Sequence, residues 1–365
     1  MAAPMTSGRN RLVRVLVVAV ALSATWAGAA GAYHAPRPFG DVKVLARVPP
    51  PGFPEGIAVR GNIVFVSGPA TFGTAGQGPS MVWAFSTSNG RLLGAWPAQG
   101  EDLSQEHANS SIALDRAGRV YVLNTQLGIY RLSMNGRQEI YSPPLPDLPP
   151  CDDEPPGTPC SPGPVDLPPI PNDIAFDPAG NAYVTDSLQA TIWRVPPGGG
   201  PAQVWFQHIR LATTFFGPNG IRLSPDRTKV YFTVSGDLEG RAFVYTLPLV
   251  PAPSPADLAV FHEYTGGDIP DGIAFGETGL LYVAIATPFA SGLSILDHDG
   301  DEVVRLGNQG NPVFPYDSPA NIAFNGRGSA LLSNHAFATG IPENWAVLDV
   351  FVNDRGSPLE LPRIR

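Results

Sequence analysis

Four side chains with hard oxygen donors, Glu55, Asn172, Asn219 and Asp271, hold one equivalent slot in a recurring phrase, as PEG, PND, PNG and PDG, each followed by an apolar run. Two carboxylates and two amide carbonyls make a donor set that a calcium ion favours, with water filling the remaining positions. Their summed charge of −2 matches a divalent cation, whereas two carboxylates facing each other without one would repel. Asn and Asp before Gly are also ordinary turn residues. That alternative accounts for any one of them alone, but less well for Glu55, because Glu has no comparable turn preference and still fills the slot.

For these side chains to meet, the phrase must sit at the start of a strand that faces a common axis. It recurs six times: PEGIAV from Pro54, NSSIALDRAGRVYVLN from Asn109, PNDIAFDPAGNAYVTD from Pro171, PNGIRLSPDRTKVYFTV from Pro218, PDGIAFGETGLLYVAI from Pro270 and PANIAFNGRGSALLSN from Pro319. The second positions, Glu55, Ser110, Asn172, Asn219, Asp271 and Ala320, are spaced 55, 62, 47, 52 and 49 residues apart. Within a copy, Ile174 to Phe176 reads as a short buried strand, Asp177 to Asn181 as a turn and Ala182 to Val184 as the returning strand. Repeats of about 40 to 50 residues made of strands and turns predict an all-β, six-bladed β-propeller with four antiparallel strands per blade. Second hairpins follow at matching offsets, with turns at Asn89-Gly90, Asn135-Gly136 and Asp299-Gly300. The run Val42 to Val48 is expected to complete the last blade beside Ala346 to Val352, which would close the ring and leave no open edge there.

The propeller is expected to occupy residues 33–365, after a secretory signal peptide over residues 1–32. Arg9, Arg11 and Arg14 precede an uncharged run that ends in Ala30-Gly31-Ala32; an uncleaved anchor is the alternative. Cleavage would remove three arginines and move the formal charge from −9 to −12, a surface that favours neither nucleic acid nor anionic lipid. The sequence therefore predicts a secreted protein, extracellular or periplasmic, with no membrane attachment once the leader is gone. Nothing in it sets an oligomeric state. The only two cysteines, Cys151 and Cys160, are expected to form a local disulfide in that compartment, the alternative being free thiols. They lie in a proline-rich insertion over residues 142–170 that leads into Pro171 and reads either as a lid over the site or as a solvated spacer.

The order Glu, Asn, Asn, Asp at blade starts resembles the calcium-dependent six-bladed propeller hydrolases of the senescence-marker-protein/gluconolactonase/paraoxonase superfamily, over essentially all of the chain after the leader. The resemblance implies a central divalent ion, usually calcium, that polarises a lactone carbonyl or phosphoryl oxygen. It implies Glu55, Asn172, Asn219 and Asp271 as metal ligands, Asp271 as general base or nucleophile, and a small ester or lactone as substrate. Two departures accompany it. Gluconolactonases usually carry an Arg where this chain has Ile170, and paraoxonases carry histidines where it has Ser110 and Thr125. Ser110 and Ala320 are small, so the ring is expected to be open on those two sides. His335 and His107 are candidates to move a proton at the mouth, as a side chain that titrates near neutrality can, or else simply solvated loop histidines. The expectation is a calcium-dependent lactonase or esterase. Its rivals are a non-enzymatic binding propeller of the NHL type and a strictosidine-synthase-like propeller, which uses no catalytic calcium and a glutamate elsewhere.

Overall fold

The computed structural model describes residues 37–155 and 158–364, so the expected leader lies outside the described residues. Strand β1 (Val42–Arg47) is followed by four strands for each of five blades and three for the sixth. Blade 1 is β2 (Ile57–Arg60), β3 (Ile63–Gly68), β4 (Met81–Ser86) and β5 (Leu92–Pro97). Blade 2 is β6 (Asn109–Leu114), β7 (Val120–Asn124), β8 (Gly128–Leu132) and β9 (Gln138–Ser142). Blade 3 is β10 (Pro171–Phe176), β11 (Ala182–Asp186), β12 (Thr191–Val195) and β13 (Gln203–Gln207). Blade 4 is β14 (Pro218–Leu223), β15 (Lys229–Val234), β16 (Ala242–Pro248) and β17 (Ala259–Tyr264). Blade 5 is β18 (Pro270–Phe275), β19 (Leu281–Ile285), β20 (Gly292–Leu296) and β21 (Glu302–Gly307). Blade 6 is β22 (Pro319–Phe324), β23 (Ser329–Asn334) and β24 (Ala346–Phe351), completed by β1.

The strand β1 pairs antiparallel with β24, Val42 opposite Val350 and Arg47 opposite Ala346, so the chain's first strand closes the ring as its composition predicts. Each innermost strand touches the innermost strands of both neighbouring blades, and β22 meets β2. A sheet placed between two others must be apolar on both faces, and six buried clusters lie one at each interface between blades. Between blades 3 and 4, for example, Tyr183, Ile192 and Trp205 pack against Ile221, Phe232 and Tyr245. The outermost strands β5 and β21 are largely exposed. Among the described residues no helix is long and apolar enough to cross a membrane.

In blades 2 and 3 the turn after the innermost strand is built on one carboxylate. Asp177 accepts hydrogen bonds from the Asn181 backbone N–H (2.8 Å) and the Tyr183 hydroxyl (3.2 Å), and Asp115 does the same for Arg119 and Tyr121. Glycine follows in the left-handed region, Gly180 at φ 90° and Gly118 at φ 86°, where a side chain would be strained. Blade 5 has Gly276 in place of the aspartate. There Asp354, from the segment after β24, supplies the missing carboxylate: it accepts from the Tyr282 hydroxyl (3.0 Å) and from Thr278, in the space that a Cβ on Gly276 would fill. The same segment is tied to blade 4 through Arg227 and Glu360 (2.9 Å) and to blade 2 through the Arg116 N–H and the Pro362 carbonyl (3.1 Å). It therefore works as a strap across the face opposite the Pro-phrase ends. Asp354→Ala should cost about 1–3 kcal/mol, because the buried Tyr282 hydroxyl loses its acceptor. Calorimetric melting checks this, and an unchanged transition would remove the strap from the stability account.

Candidate metal centre

The Pro phrases do not enter their ladders regularly. Pairing slips between Pro171 and Ile174, between Pro218 and Ile221 and between Pro270 and Ile273, so the residues between them leave the pleat at the start of β10, β14 and β18. A bulge of this kind re-aims a side chain. Here it delivers Asn172, Asn219 and Asp271 to the end of the axial channel, where Glu55 arrives just ahead of β2, its own N–H held by the Ser67 carbonyl (2.9 Å). All four are buried and all four line one cavity of about 580 Å³. Side chains as far apart in sequence as Glu55 and Asp271 are thus brought together. Ser110 also reaches the cavity, with its hydroxyl donated to the Pro171 carbonyl (2.7 Å). Ala320 does not: in blade 6 the register slips between Pro319 and Asn321, one residue sooner, so Ala320 is fully buried and Ser318 and His335 form the wall instead. The opening expected at Ala320 is therefore corrected.

Chemically the centre is under-satisfied. Asn219 donates its amide N–H to the Ser235 hydroxyl (3.0 Å), which leaves its Oδ1 buried without a partner, and Asp271 Oδ1 is in the same condition. Buried oxygens of this kind cost free energy unless something fills them. Burial pushes the Glu55 carboxyl up to about 8, with the charge on Asp173 adding to the effect. Asp271 is raised well above the usual carboxylate range, first by burial and then by the charges of Glu55 and Asp173. A hard divalent cation would satisfy the orphaned oxygens and relieve the repulsion, so the residues fit a calcium ion.

A pH dependence follows. In the metal-free fold Glu55 binds its proton more tightly than an unfolded glutamate does, so its contribution to stability is lost as the pH rises from about 4.5 to about 8. A cation must displace that proton below pH 8. Calcium affinity measured by calorimetry should therefore fall as the pH goes from 8.5 to 6, with protons released to the buffer. Affinity that stays constant over that range would contradict the shift.

His335 stands at the Glu55 corner. Its Nε2 lies 2.7 Å from the Ala70 carbonyl and must donate there, so Nδ1, 3.4 Å from Glu55 Oε2, carries the lone pair. Burial holds the imidazole down to about 4, so the pair is a neutral histidine beside a carboxyl that keeps its proton to high pH, and not an ion pair. The backbone around this corner is unusual, with Phe53 at φ 44°, Ser318 at φ 47° and Ala336 at φ 58°. His107 lines the cavity too, but both its ring nitrogens lie 3.0 Å from backbone carbonyls, those of Gln105 and Gly78, which makes it a brace between two loops. Among the described residues the one close group of three His and Asp side chains, Asp297, His298 and Asp299, lies on the turn between β20 and β21, where Asp297 accepts turn N–H groups from Asp299 and Asp301.

Three features of the centre escape a reading of the phrases alone. The first is a set of rungs between blades: Ser333 donates to the Glu55 carbonyl (2.5 Å), Thr185 to that of Asn219 (2.5 Å) and Thr233 to that of Asp271 (2.7 Å), so each of these three putting an oxygen on the axis is pinned by the blade before it. The second lies below the ring. Five copies have Ala after the Ile of the phrase, and the fourth has Arg222. Its buried guanidinium donates to Asp173 (2.6 Å) and Asn321 (3.0 Å), and Ser111 donates to the other Asp173 oxygen (2.5 Å). Arg222 neutralises Asp173, so Glu55 and Asp271 leave the centre with the charge of −2 that a divalent cation matches. The third concerns the insertion. Its cysteines do form the expected disulfide, but they do not line the cavity; among its described residues only the last, Pro168 to Ile170, do.

The solved structure of regucalcin, described as a calcium-binding protein, from Agrobacterium tumefaciens strain C58 is similar over 89% of this chain and 98% of its own, with a TM-score of 0.60 at 16% identity. A luciferin-regenerating enzyme is similar over 88% and 100%, with a TM-score of 0.59 at 14% identity. A gluconolactonase from Xanthomonas campestris is similar over 88% and 99%, with a TM-score of 0.53 at 16% identity. At such identities the likeness establishes the fold, and three proteins with different described roles share it. No curated protein matches the sequence. The model of the SMP-30/Gluconolactonase/LRE-like region matches residues 88–332, most of the propeller, and the chain belongs to that family.

Proposed function

We propose that the protein is an exported, calcium-dependent hydrolase of small esters, with lactones as its first candidates. The observation that carries this reading is the pair of buried, unpartnered oxygens, Asn219 Oδ1 and Asp271 Oδ1, at a cavity that Glu55 and Asn172 also line. Glu55, Asn172, Asn219 and Asp271 would hold the ion. Bound there, calcium would draw electron density from an ester carbonyl and stabilise the negative charge that builds on its oxygen. Asp271 is the general base: it takes a proton from a water whose oxygen bonds to the acyl carbon, and it returns that proton to the alkoxide released when the acyl carbon–oxygen bond breaks. The rung from Thr233 holds the Asp271 backbone during this exchange. His335, its tautomer fixed by Ala70, turns a neutral nitrogen toward Glu55 and adds no positive charge to the site. A propeller used only as a scaffold has no need of orphaned oxygens. The arginine-led apolar leader and the disulfide support an oxidising compartment outside the cytoplasm.

The test is a panel of γ-butyrolactone, phenyl acetate and a phosphotriester, assayed with calcium and with EDTA. Hydrolysis of the lactone or aryl ester that disappears with chelator and returns with calcium is expected. Equal turnover in both conditions, or none on any substrate, would defeat the reading.

A further inference from the structure

We propose that the cavity accepts an uncharged, apolar ester carrying a hydrocarbon group, and that Phe72, Phe216 and Phe337 grip that group. The reacting carbonyl is assigned to the four axial oxygens on the hydrolase reading given above; the binding of the hydrocarbon is not tied to it.

A run of aromatic rings leads from solvent to the centre. Phe72, from the loop after β3, stacks on Phe216, from the loop before β14, at 6.3 Å between centroids. Phe216 meets Phe337, from the loop after β23, edge-on at 6.5 Å, and Phe337 lies 5.6 Å from His335, which adjoins Glu55. Ile170 and Ile269 continue the wall. At the outer end Phe72 is 60% exposed and Phe215, packed on Phe216 at 4.6 Å, is 56% exposed. Exposed aromatic area beside a cavity is covered when an apolar ligand binds, which favours binding.

Most polar groups of the wall are already engaged, the buried Ser318 hydroxyl being an exception. Ser110 donates to Pro171 and Ser235 to Pro270, and Thr125 accepts from the Ala108 N–H. Glu106 is wrapped by the N–H groups of Gly73, Thr74 and Ala75, and both nitrogens of His107 face carbonyls. A polyhydroxylated lactone would lose water from each hydroxyl and find few partners outside the axial oxygens, the penalty that makes polar recognition sites selective. Among the described lining residues there is no Lys or Arg, so an anionic group on the substrate would pass Glu106 with no basic side chain on the wall to pair with.

The experiment compares γ-undecalactone with D-glucono-δ-lactone as substrates of the full protein in calcium, and measures binding of N-cyclohexyl-2-pyrrolidone, an apolar lactam that is not turned over, by calorimetry. The lactam should bind, and Phe216→Ala and Phe72→Ala should each weaken it by about tenfold, the effect of uncovering a ring face. The kcat/KM for γ-undecalactone should exceed that for gluconolactone by about 100-fold or more, and the phenylalanine variants should raise its KM more than they lower kcat. Because Phe72 is mostly solvated, its variant tests the grip even if Phe216→Ala fails to fold. Lactam binding that depends on the phenylalanines without turnover of either lactone supports this inference and defeats the hydrolase reading. Gluconolactone turned over as efficiently as γ-undecalactone, or lactam binding unchanged in Phe72→Ala, overturns the inference and leaves the hydrolase reading standing.

Discussion

Asp271→Asn should lower the hydrolysis rate by at least about 10³-fold while the propeller stays folded. The substitution keeps the size of the side chain and its oxygen, but removes both the basic site and one unit of the charge that holds the cation. General-base catalysis alone contributes about 10² to 10⁴, and a weakened electrostatic centre adds to the loss. The burial and the carboxylate neighbours that raise Asp271 also make its loss favourable for the metal-free fold, because a neutral amide needs no counter-charge. The variant should therefore melt no lower than the parent in EDTA, yet gain less from calcium. Rate measurements on an apolar lactone, with melting curves in both conditions, check this. A rate within tenfold of the parent would remove Asp271 from the chemistry.

The second large effect is expected at Arg222. Its side chain is 9% exposed and Asp173 is wholly buried, so Arg222→Met strands a carboxylate in the channel under the ring. Breaking one side of a buried pair costs about 3–5 kcal/mol, much more than removing both charges does. The double variant Arg222→Met/Asp173→Asn should recover most of that loss. Chemical denaturation of the two variants and the parent measures it, and a single variant as stable as the parent would contradict the role given to the pair. The arginine also walls off a second cavity, of about 250 Å³, bounded by inner-strand alanines and by Gly356 to Leu361 of the strap.

The repeat could be read in the sequence because each blade repeats the same local problem: a short buried strand, a tight polar turn and a returning strand. The same regularity makes its exceptions visible, and Glu55, set where other copies carry turn residues, is the best of them. Arg222 is an exception of equal clarity in a column of alanines, but its meaning depends on Asp173 and Asn321, which only the closed ring brings within reach. The hydroxyl rungs leave a trace as well. Ser67, Thr185, Thr233 and Ser333 share a place on the second strand, where blades 2 and 5 have Leu123 and Ala284, but a hydroxyl in a strand does not say which carbonyl it will meet. The strap and the aromatic run follow no period. Asp354 serves a turn 78 residues earlier in the chain, and Phe72, Phe216 and Phe337 come from loops whose lengths differ from blade to blade. For the insertion, sequence order leads its end into Pro171 and leaves lid and spacer both open, and only packing shows that Pro168 to Ile170 touch the cavity while the disulfide does not.

The most direct measurement is the melting temperature of metal-stripped protein in saturating calcium and in EDTA, with the metal content of the purified protein determined alongside. A ligand held only by the folded state at 100 times its dissociation constant adds about 2.7 kcal/mol, which raises the transition by several degrees in a domain of this size. That rise is expected in the parent, together with bound calcium. Superimposable curves would mean that Glu55, Asn172, Asn219 and Asp271 meet at the axis for some purpose other than holding a cation.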